Sequence, residues 1–337
     1  MRAAVLRGPR DLAVEARPRP RPGPDEVLVR VRSVGVCGSD THYFEHGRIG
    51  HFVVEAPLVL GHEAAGEITE VGPGVPESLI GRRVSVEPGV PDLTCRFCLA
   101  GHYNLCPAMR FFATPPVDGA LAEYVVVHRA FAHPVPDSLD DDAAALLEPL
   151  SVALWACGKG QVTAGSRVLI TGAGPIGLVG LQAALAYGAT EVVVADVNLE
   201  RLALAEDLGA TETLDVRERS ATSLDPPPTI LLECSGQPSA IADGIRALDR
   251  AGRAVLVGMG ADEVALPLSV VQERELVLYG TFRYAGTWPT AIALVASGRV
   301  DLGRLVTATF RLDDTAAALT AGRHDPRSVK AVVHPQT

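Results

Sequence analysis

The pattern of apolar and polar positions divides this chain into two regimes. In the first third, apolar residues recur at alternate positions in short runs. Val27-Leu-Val-Arg-Val-Arg-Ser-Val alternates as a half-buried strand does. Further short strands are predicted over residues 64–71, 83–88 and 121–127. Between the first of these and the N-terminus lies Arg17-Pro-Arg-Pro-Arg-Pro-Gly-Pro, which can be neither helix nor central strand because proline has no amide hydrogen to donate. Short strands separated by Gly/Pro turns predict a barrel-like β domain. Near residue 140 the period changes. Asp140-Asp-Asp-Ala-Ala-Ala-Leu-Leu opens a helix on acidic residues, which favour a helix N-terminus. Apolar runs over 167–171, 191–196, 229–234, 254–258 and 276–280 then alternate with helical patterns over 176–187, 199–208 and 241–248. That alternation predicts parallel βαβ units and the α/β class. A helix over 289–297 and two short strands close the chain.

The junction between the 167–171 strand and the following helix carries Gly172-Ala-Gly174-Pro-Ile176-Gly177. In that strand-to-helix context a GxGxxG segment reads as a dinucleotide-binding turn. Gly172 permits the tight turn, Gly174 lets the backbone approach a pyrophosphate, and Gly177 lets helix and strand pack closely. The helix N-terminus then offers its amides to the phosphates. Asp196 ends the next strand, where an acid hydrogen-bonds ribose hydroxyls and repels a 2′-phosphate, so NAD is expected over NADP. Arg201 pulls the other way, since a nearby arginine can accept such a phosphate.

Composition narrows the partners. Hydrophobic residues make up 47% of 337, enough for a sizeable core and against disorder. A net charge of −10 argues against nucleic acid as a partner. No apolar run of about 18 residues occurs, so no membrane span is expected. Met1–Pro9 lacks a long apolar core and a cleavage site, so a cytoplasmic location is expected. Of the six cysteines, Cys95, Cys98 and Cys106 cluster, and clustered thiols without an export signal more often hold metal than form disulfides. Only two lysines, Lys159 and Lys330, accompany the arginines.

The N-terminal region gathers metal-binding chemistry. Gly35-Val-Cys37-Gly-Ser39-Asp40-Thr-His42-Tyr43 and Gly61-His62-Glu63 supply a thiol, an imidazole and a carboxylate, the ligand types zinc takes, and a catalytic zinc keeps one position open. Cys37 and His62 are two expected ligands, and Glu63 or Glu148 is the third. Asp40 is suited to fix the tautomer of the histidine.

These residues resemble the zinc-dependent medium-chain dehydrogenase/reductases over nearly the whole chain, and within them the polyol (sorbitol) dehydrogenases. The resemblance rests on Val36-Cys-Gly-Ser-Asp-Thr-His-Tyr, Gly47-Arg-Ile-Gly-His-Phe-Val-Val, Leu60-Gly-His-Glu, Phe111-Phe-Ala-Thr-Pro-Pro, Leu147-Glu-Pro-Leu-Ser-Val and Phe282-Arg-Tyr-Ala-Gly-Thr-Trp-Pro. It implies a GroES-like catalytic domain over 1–146, a doubly wound Rossmann domain over 147–284, and a return of 285–337 to the catalytic domain. It makes Cys37, His62 and Glu63 ligands of the catalytic zinc, with Glu148 holding water or joining them. A carboxylate at Glu148, where simple alcohol dehydrogenases carry cysteine, fits polyol enzymes better. Tyr43, Arg283 and Tyr284 are placed near the polyol, and Ile176, Asp196 and Arg201 along the cofactor. A forked guanidinium at Arg283 suits vicinal hydroxyls. In the lobe 88–108, Asp92, Cys95, Cys98 and Cys106 have the spacing of a structural zinc site, with Asp92 where the family usually has cysteine.

The implied reaction moves a hydride from a secondary hydroxyl carbon to NAD⁺, giving a ketose. The proton leaves through Ser39 and His42, or through water held by Glu148. Related substrates that remain open are a butanediol, threonine, an aminocyclitol or an aldose, and a non-catalytic NAD-binding redox sensor is the reading from another class. Relatives of this kind are commonly homotetramers or homodimers.

Overall fold

The computed structural model describes residues Met1–Thr337. The chain separates into two compact units. One comprises Met1–Glu148, Trp288–Ala296 and Leu302–Thr337; the other comprises Pro149–Thr287 and Ser297–Asp301.

The first unit is built on a seven-stranded sheet. Its order runs Ala132–Pro134, Arg83–Val86, Glu63–Val71, Glu26–Gly35, Lys330–His334 and Val306–Arg311, with Tyr124–His128 also pairing to Glu26–Gly35. All pairings are antiparallel except the last, between the two C-terminal strands. The central position of Glu26–Gly35 alters one expectation. Its alternation predicts a half-buried strand, yet Val27, Leu28 and Val29 are all buried in succession, because three strands flank it. A three-stranded sheet, Asp11–Ala16, Arg2–Gly8 and Leu58–Val59, supplies Val5 and Leu6 to the same core as Val27, Val29, Val31, Tyr43 and Phe44. Fully burying an aliphatic side chain of this size contributes about 1.5–3 kcal/mol. The strand predicted over 121–127 starts later, at Tyr124. Ala122 makes only an isolated bridge to Ala3, and the Leu121 carbonyl accepts from the Ala4 amide at 2.8 Å.

Asp140 caps the helix Asp141–Ala145, its carboxylate accepting from the Ala143 amide at 2.7 Å. Such a cap is worth ~1 kcal/mol. The next helix, Leu147–Gly160, carries Glu148 in its first turn, and the boundary between the units follows that residue.

The second unit is a six-stranded parallel sheet in the order Glu212–Asp215, Glu191–Asp196, Arg167–Thr171, Ile230–Glu233, Arg253–Leu256, Val277–Gly280. The order reverses at Arg167–Thr171, the first strand of this sheet in the chain, which is the doubly wound arrangement, and ligands bind beyond the carboxyl ends of strands at such a reversal. Leu169, Leu231, Ile245, Leu248 and Ala254 form its core. The helices run Pro175–Ala186, Leu199–Asp207 and Pro238–Ala247. The last begins three residues before its apolar pattern because Pro238 sits at the first turn, where a missing amide hydrogen costs nothing. No helix is long and apolar enough to cross a membrane.

Candidate active site

Sheet register assembles the metal candidates. The strand Glu26–Gly35 runs out at Gly35, and Cys37 follows as the cap of the helix Gly38–His46. Gly35 pairs with Glu63 on one side and with Val332 on the other. Three neighbouring strands therefore bring Cys37, the His62-Glu63 pair and Lys330 to one end of the sheet. The ligand atoms of Cys37, His62 and Glu63 lie within 4.8 Å of one another. Asp40, fully buried, ties the two loops together. One carboxylate oxygen accepts from the Cys37 amide at 3.1 Å, and the other accepts from the Gly61 amide at 2.9 Å and lies 3.6 Å from His62 Nδ1. Nε2 of His62 is thereby left for the cluster. Burial opposes charge on Asp40, but the His62 imidazole and the two amides outweigh it and hold its pKa below the ordinary value. Burial likewise works against a charged His62, yet the charges of Asp40 and then Cys37 hold its pKa well above the usual histidine value.

Glu63 is nearly inaccessible, at 1% exposure, and its two oxygens have different fates. Oε1 accepts from Lys330 Nζ at 2.6 Å, and the same ammonium donates to the Val36 carbonyl at 2.8 Å. Oε2 has no hydrogen-bond partner. It occupies the space that a β-carbon on Gly35 would need, so glycine at 35 makes room for the carboxylate. Burial alone would lower the Lys330 pKa, but the Glu63 charge, followed by that of Cys37, raises it. A buried carboxylate oxygen without a donor is costly unless a cation completes it. A thiolate, an imidazole and such a carboxylate form a donor set that suits zinc. The residues fit the ion.

Other residues singled out from the sequence stand at varying distances from this cluster. Glu148 is buried but is not among the residues whose ligand atoms fall within 4.8 Å. Its charge nevertheless reaches Lys330 and helps to raise that pKa. Ser39 is half-buried, one residue before Asp40. His42 is exposed, with its ring 4.6 Å from that of His46. Tyr43 is buried in the core of the first unit. Arg283 and Tyr284 belong to the second unit. Arg283 has a positive φ of 55° and its guanidinium lies 4.7 Å from the Phe282 ring centroid, while Tyr284 is buried. Two neighbours of the cluster were given no role there in the sequence reading. Phe111 places its ring centroid 5.7 Å from that of His62, and Lys330 holds Glu63. Lys330 had a signal: it is one of only two lysines and stands at the head of the apolar run Ala331-Val-Val.

A second cluster joins Asp92, Cys95, Cys98 and Cys106, with ligand atoms again within 4.8 Å of one another. The Cys95 and Cys98 sulfurs are 3.5 Å apart, and Cys98 Sγ is 3.4 Å from Asp92 Oδ1. Oδ1 also accepts from the Cys95 amide at 2.9 Å and the Thr94 amide at 2.8 Å, which hold the Asp92 pKa down at about 2. Desolvation and its sulfur neighbours push the Cys98 thiol up to about 12. Its neighbour Cys95 is lowered, chiefly by the Cys98 amide.

The dinucleotide cradle lies in the second unit. Gly172 has a φ of 94°, a conformation that glycine adopts without strain. Any β-carbon on Gly177 would strike the Gly172 carbonyl oxygen, so the close approach of turn and helix requires glycine there. At Gly174 the same construction meets nothing within 4 Å, which leaves room for a phosphate. Asp196 does more than the sequence indicates: its carboxylate accepts from the amides of Ala173 at 2.5 Å, Val197 at 2.7 Å and Asn198 at 2.8 Å. The acid thus fixes the glycine turn as well as lining the adjacent cavity of about 410 Å³, together with Gly172, Val197, Ala221 and Ala240. Arg201 sits in the first turn of the helix that Asn198 caps, and Ile176 in the first turn after Gly174.

A β-rich unit with a thiol–imidazole–carboxylate cluster, and a doubly wound unit with a glycine-turn cradle, define a zinc-dependent alcohol dehydrogenase of the medium-chain type. Two family models match in the same order: the alcohol dehydrogenase GroES-like domain over residues 23–137 and the zinc-binding dehydrogenase domain over 175–297. The chain is 44% identical to sorbitol dehydrogenase of Rattus norvegicus over 95% of its own length and 92% of the relative's. It is 40% identical to sorbitol dehydrogenase of Bacillus subtilis, covering 99% and 97%. Among solved structures, an oxidoreductase/dehydrogenase of unknown specificity from Escherichia coli superposes with a TM-score of 0.94 at 34% identity, covering 99% and 98%. A 2R,3R-butanediol dehydrogenase from Bacillus subtilis gives 0.90 at 29%, covering 99% of each chain. The chain belongs to the zinc-dependent medium-chain dehydrogenases, in the branch that contains the sorbitol dehydrogenases. It is an oxidoreductase of the alcohol and polyol class, using zinc and a nicotinamide cofactor on a small-molecule substrate.

Proposed function

We propose that this enzyme oxidises a secondary hydroxyl of a polyol of the sorbitol or xylitol kind to a ketose, with NAD⁺ accepting the hydride. Cys37, His62 and Glu63 hold the catalytic zinc, and the observation that carries this is the buried, donor-free Glu63 Oε2 beside a thiol and an imidazole. When bound, the ion acts as a Lewis acid that makes the substrate hydroxyl more acidic. Asp40 lies against His62 Nδ1, which would leave Nε2 free to hold the ion. Glu148, buried outside the ligand cluster, suits a carboxylate that holds water for proton removal. Ser39 and the exposed His42 supply the alternative proton route to solvent. Arg283 recognises adjacent hydroxyls through its forked donors.

Three amides fix the Asp196 carboxylate at the end of its strand, a placement that favours NAD over a 2′-phosphorylated cofactor, even with Arg201 in the following helix. Asp92, Cys95, Cys98 and Cys106 form a closed structural zinc site. The enzyme works in the cytoplasm as a homotetramer or homodimer, with the edge strand Val277–Gly280 available to pair across a two-fold axis. The first test follows NADH formation with purified protein, NAD⁺ and a polyol panel before and after zinc chelation. Turnover of sorbitol or xylitol that chelation abolishes supports the reading. Turnover of a butanediol, threonine, an aminocyclitol or an aldose alone replaces the substrate, and no turnover with NAD bound would leave a redox sensor.

A further inference from the structure

The pair Glu63–Lys330 is a buried ion pair in which only one of the two carboxylate oxygens is used. Lys330 Nζ reaches Glu63 Oε1 at 2.6 Å and the Val36 carbonyl at 2.8 Å, so the ammonium is anchored on the strand end that leads into Cys37. Side-chain exposures of 3% and 1% keep water from competing. A buried charge pair gives little net stability once desolvation is counted, so its retention calls for another role. In a chain whose thirty basic residues are otherwise almost all arginine, lysine stands here. A lysine is a compact point charge on a flexible stem, whereas an arginine fork would span both carboxylate oxygens.

We propose that Lys330 is a positioning residue for the catalytic metal: by occupying Glu63 Oε1 it leaves Oε2 as the single oxygen offered to the ion and limits Glu63 to one-oxygen ligation. Zinc with one thiolate and one carboxylate is a neutral ensemble. The ammonium adds a fixed positive charge beside it and draws electron density from the carboxylate, so the ion remains a stronger Lewis acid. This inference rests on the assignment of Cys37, His62 and Glu63 as zinc ligands.

The test uses full-length zinc-loaded enzyme exchanged to Co²⁺, whose visible absorption reports coordination number. In Lys330→Met, Oε1 is released to the ion, so coordination rises and the cobalt bands weaken. Loss of such a partner typically costs about 10–100-fold in metal affinity or activity, and at least the lower figure is expected in kcat, while Co²⁺ affinity holds or rises because the ion gains an oxygen and loses a neighbouring positive charge. NAD⁺ affinity stays unchanged. The same substitution is made in a Glu63→Ala background, where it is expected to leave Co²⁺ affinity unchanged or improved, because the ammonium then has no carboxylate to hold. If Lys330→Met fails to fold, Lys330→Arg decides: its fork keeps the ion pair but spans both oxygens of Glu63, so a loss of about tenfold or more in Co²⁺ affinity is expected, and unchanged affinity would overturn the proposal. An unaltered cobalt spectrum in Lys330→Met, or an equal loss of affinity in both backgrounds, would overturn the proposal. Wild-type protein whose cobalt uptake is indifferent to Cys37→Ser would instead remove the zinc-ligand assignment itself.

Discussion

Glu63 and Glu148 show how two carboxylates close in chemistry are separated by their surroundings. Both are buried, but only Glu63 falls within the cluster of ligand atoms, because it opens a strand paired with the one that delivers Cys37. From the sequence these two acids could not be ranked as ligands, since their rank depends on which strands are neighbours. Cys37 and His62 were legible through their residue types and spacing. Lys330 stood out only as one of two lysines; its pairing with Glu63 was not legible, because it lies 267 positions away and meets Glu63 only through the pairing of the Lys330–His334 and Glu26–Gly35 strands. Outside the ligand set, Glu148 is assigned to holding water. Glu148→Ala is therefore expected to lower kcat by about 10²-fold or more while zinc content and NAD⁺ affinity persist. Stopped assays alongside metal analysis would check this; near-normal kcat removes the role, and loss of zinc makes Glu148 a ligand instead.

At the scale of elements, the strands with strong period-two or continuous apolar patterns were legible, and the weaker ones were not. The Rossmann strands Arg167–Thr171 and Glu191–Asp196 read directly, since both faces are covered and every position between the polar ends is apolar. The edge strand Glu212–Asp215 has a polar sequence, Glu-Thr-Leu-Asp, with only Leu214 buried, and gave no signal. Likewise the helix Thr315–His324 is rich in alanine and threonine, and its buried positions are few. The clustering of Asp92, Cys95, Cys98 and Cys106 was legible as spacing, and on the proposed reading of that cluster as a zinc site its aspartate makes a distinct expectation. An aspartate oxygen is a harder donor than thiolate, so Asp92→Cys should retain zinc at higher chelator concentrations than the native enzyme. Asp92→Ala should lose that zinc first while the catalytic zinc stays. Metal content after dialysis against graded chelator measures both; an alanine variant with unchanged zinc stoichiometry would show that Asp92 is no ligand.

For the whole molecule, function depends on two chemistries encoded in separate compact units: a metal cluster at the end of an antiparallel sheet, and a glycine turn at the reversal of a parallel one. The family was legible because both signatures are short and local, whereas the division of the chain was harder to place. The return of Ser297–Asp301 to the second unit rests on contacts such as the Gln182 side chain, which accepts from the Asp301 amide at 2.7 Å and donates to its carbonyl at 3.1 Å. No pattern in the sequence marks that pairing. The central claim is hydride transfer from a secondary polyol carbon to NAD⁺, and it is tested most directly by isotope transfer. Sorbitol carrying deuterium at C2 would be incubated with the enzyme and NAD⁺, and both products examined by mass spectrometry and NMR. The expected result is NADH with deuterium at C4 of the nicotinamide and an unlabelled ketose. Unlabelled NADH, or an aldose product that retains the deuterium, would contradict it.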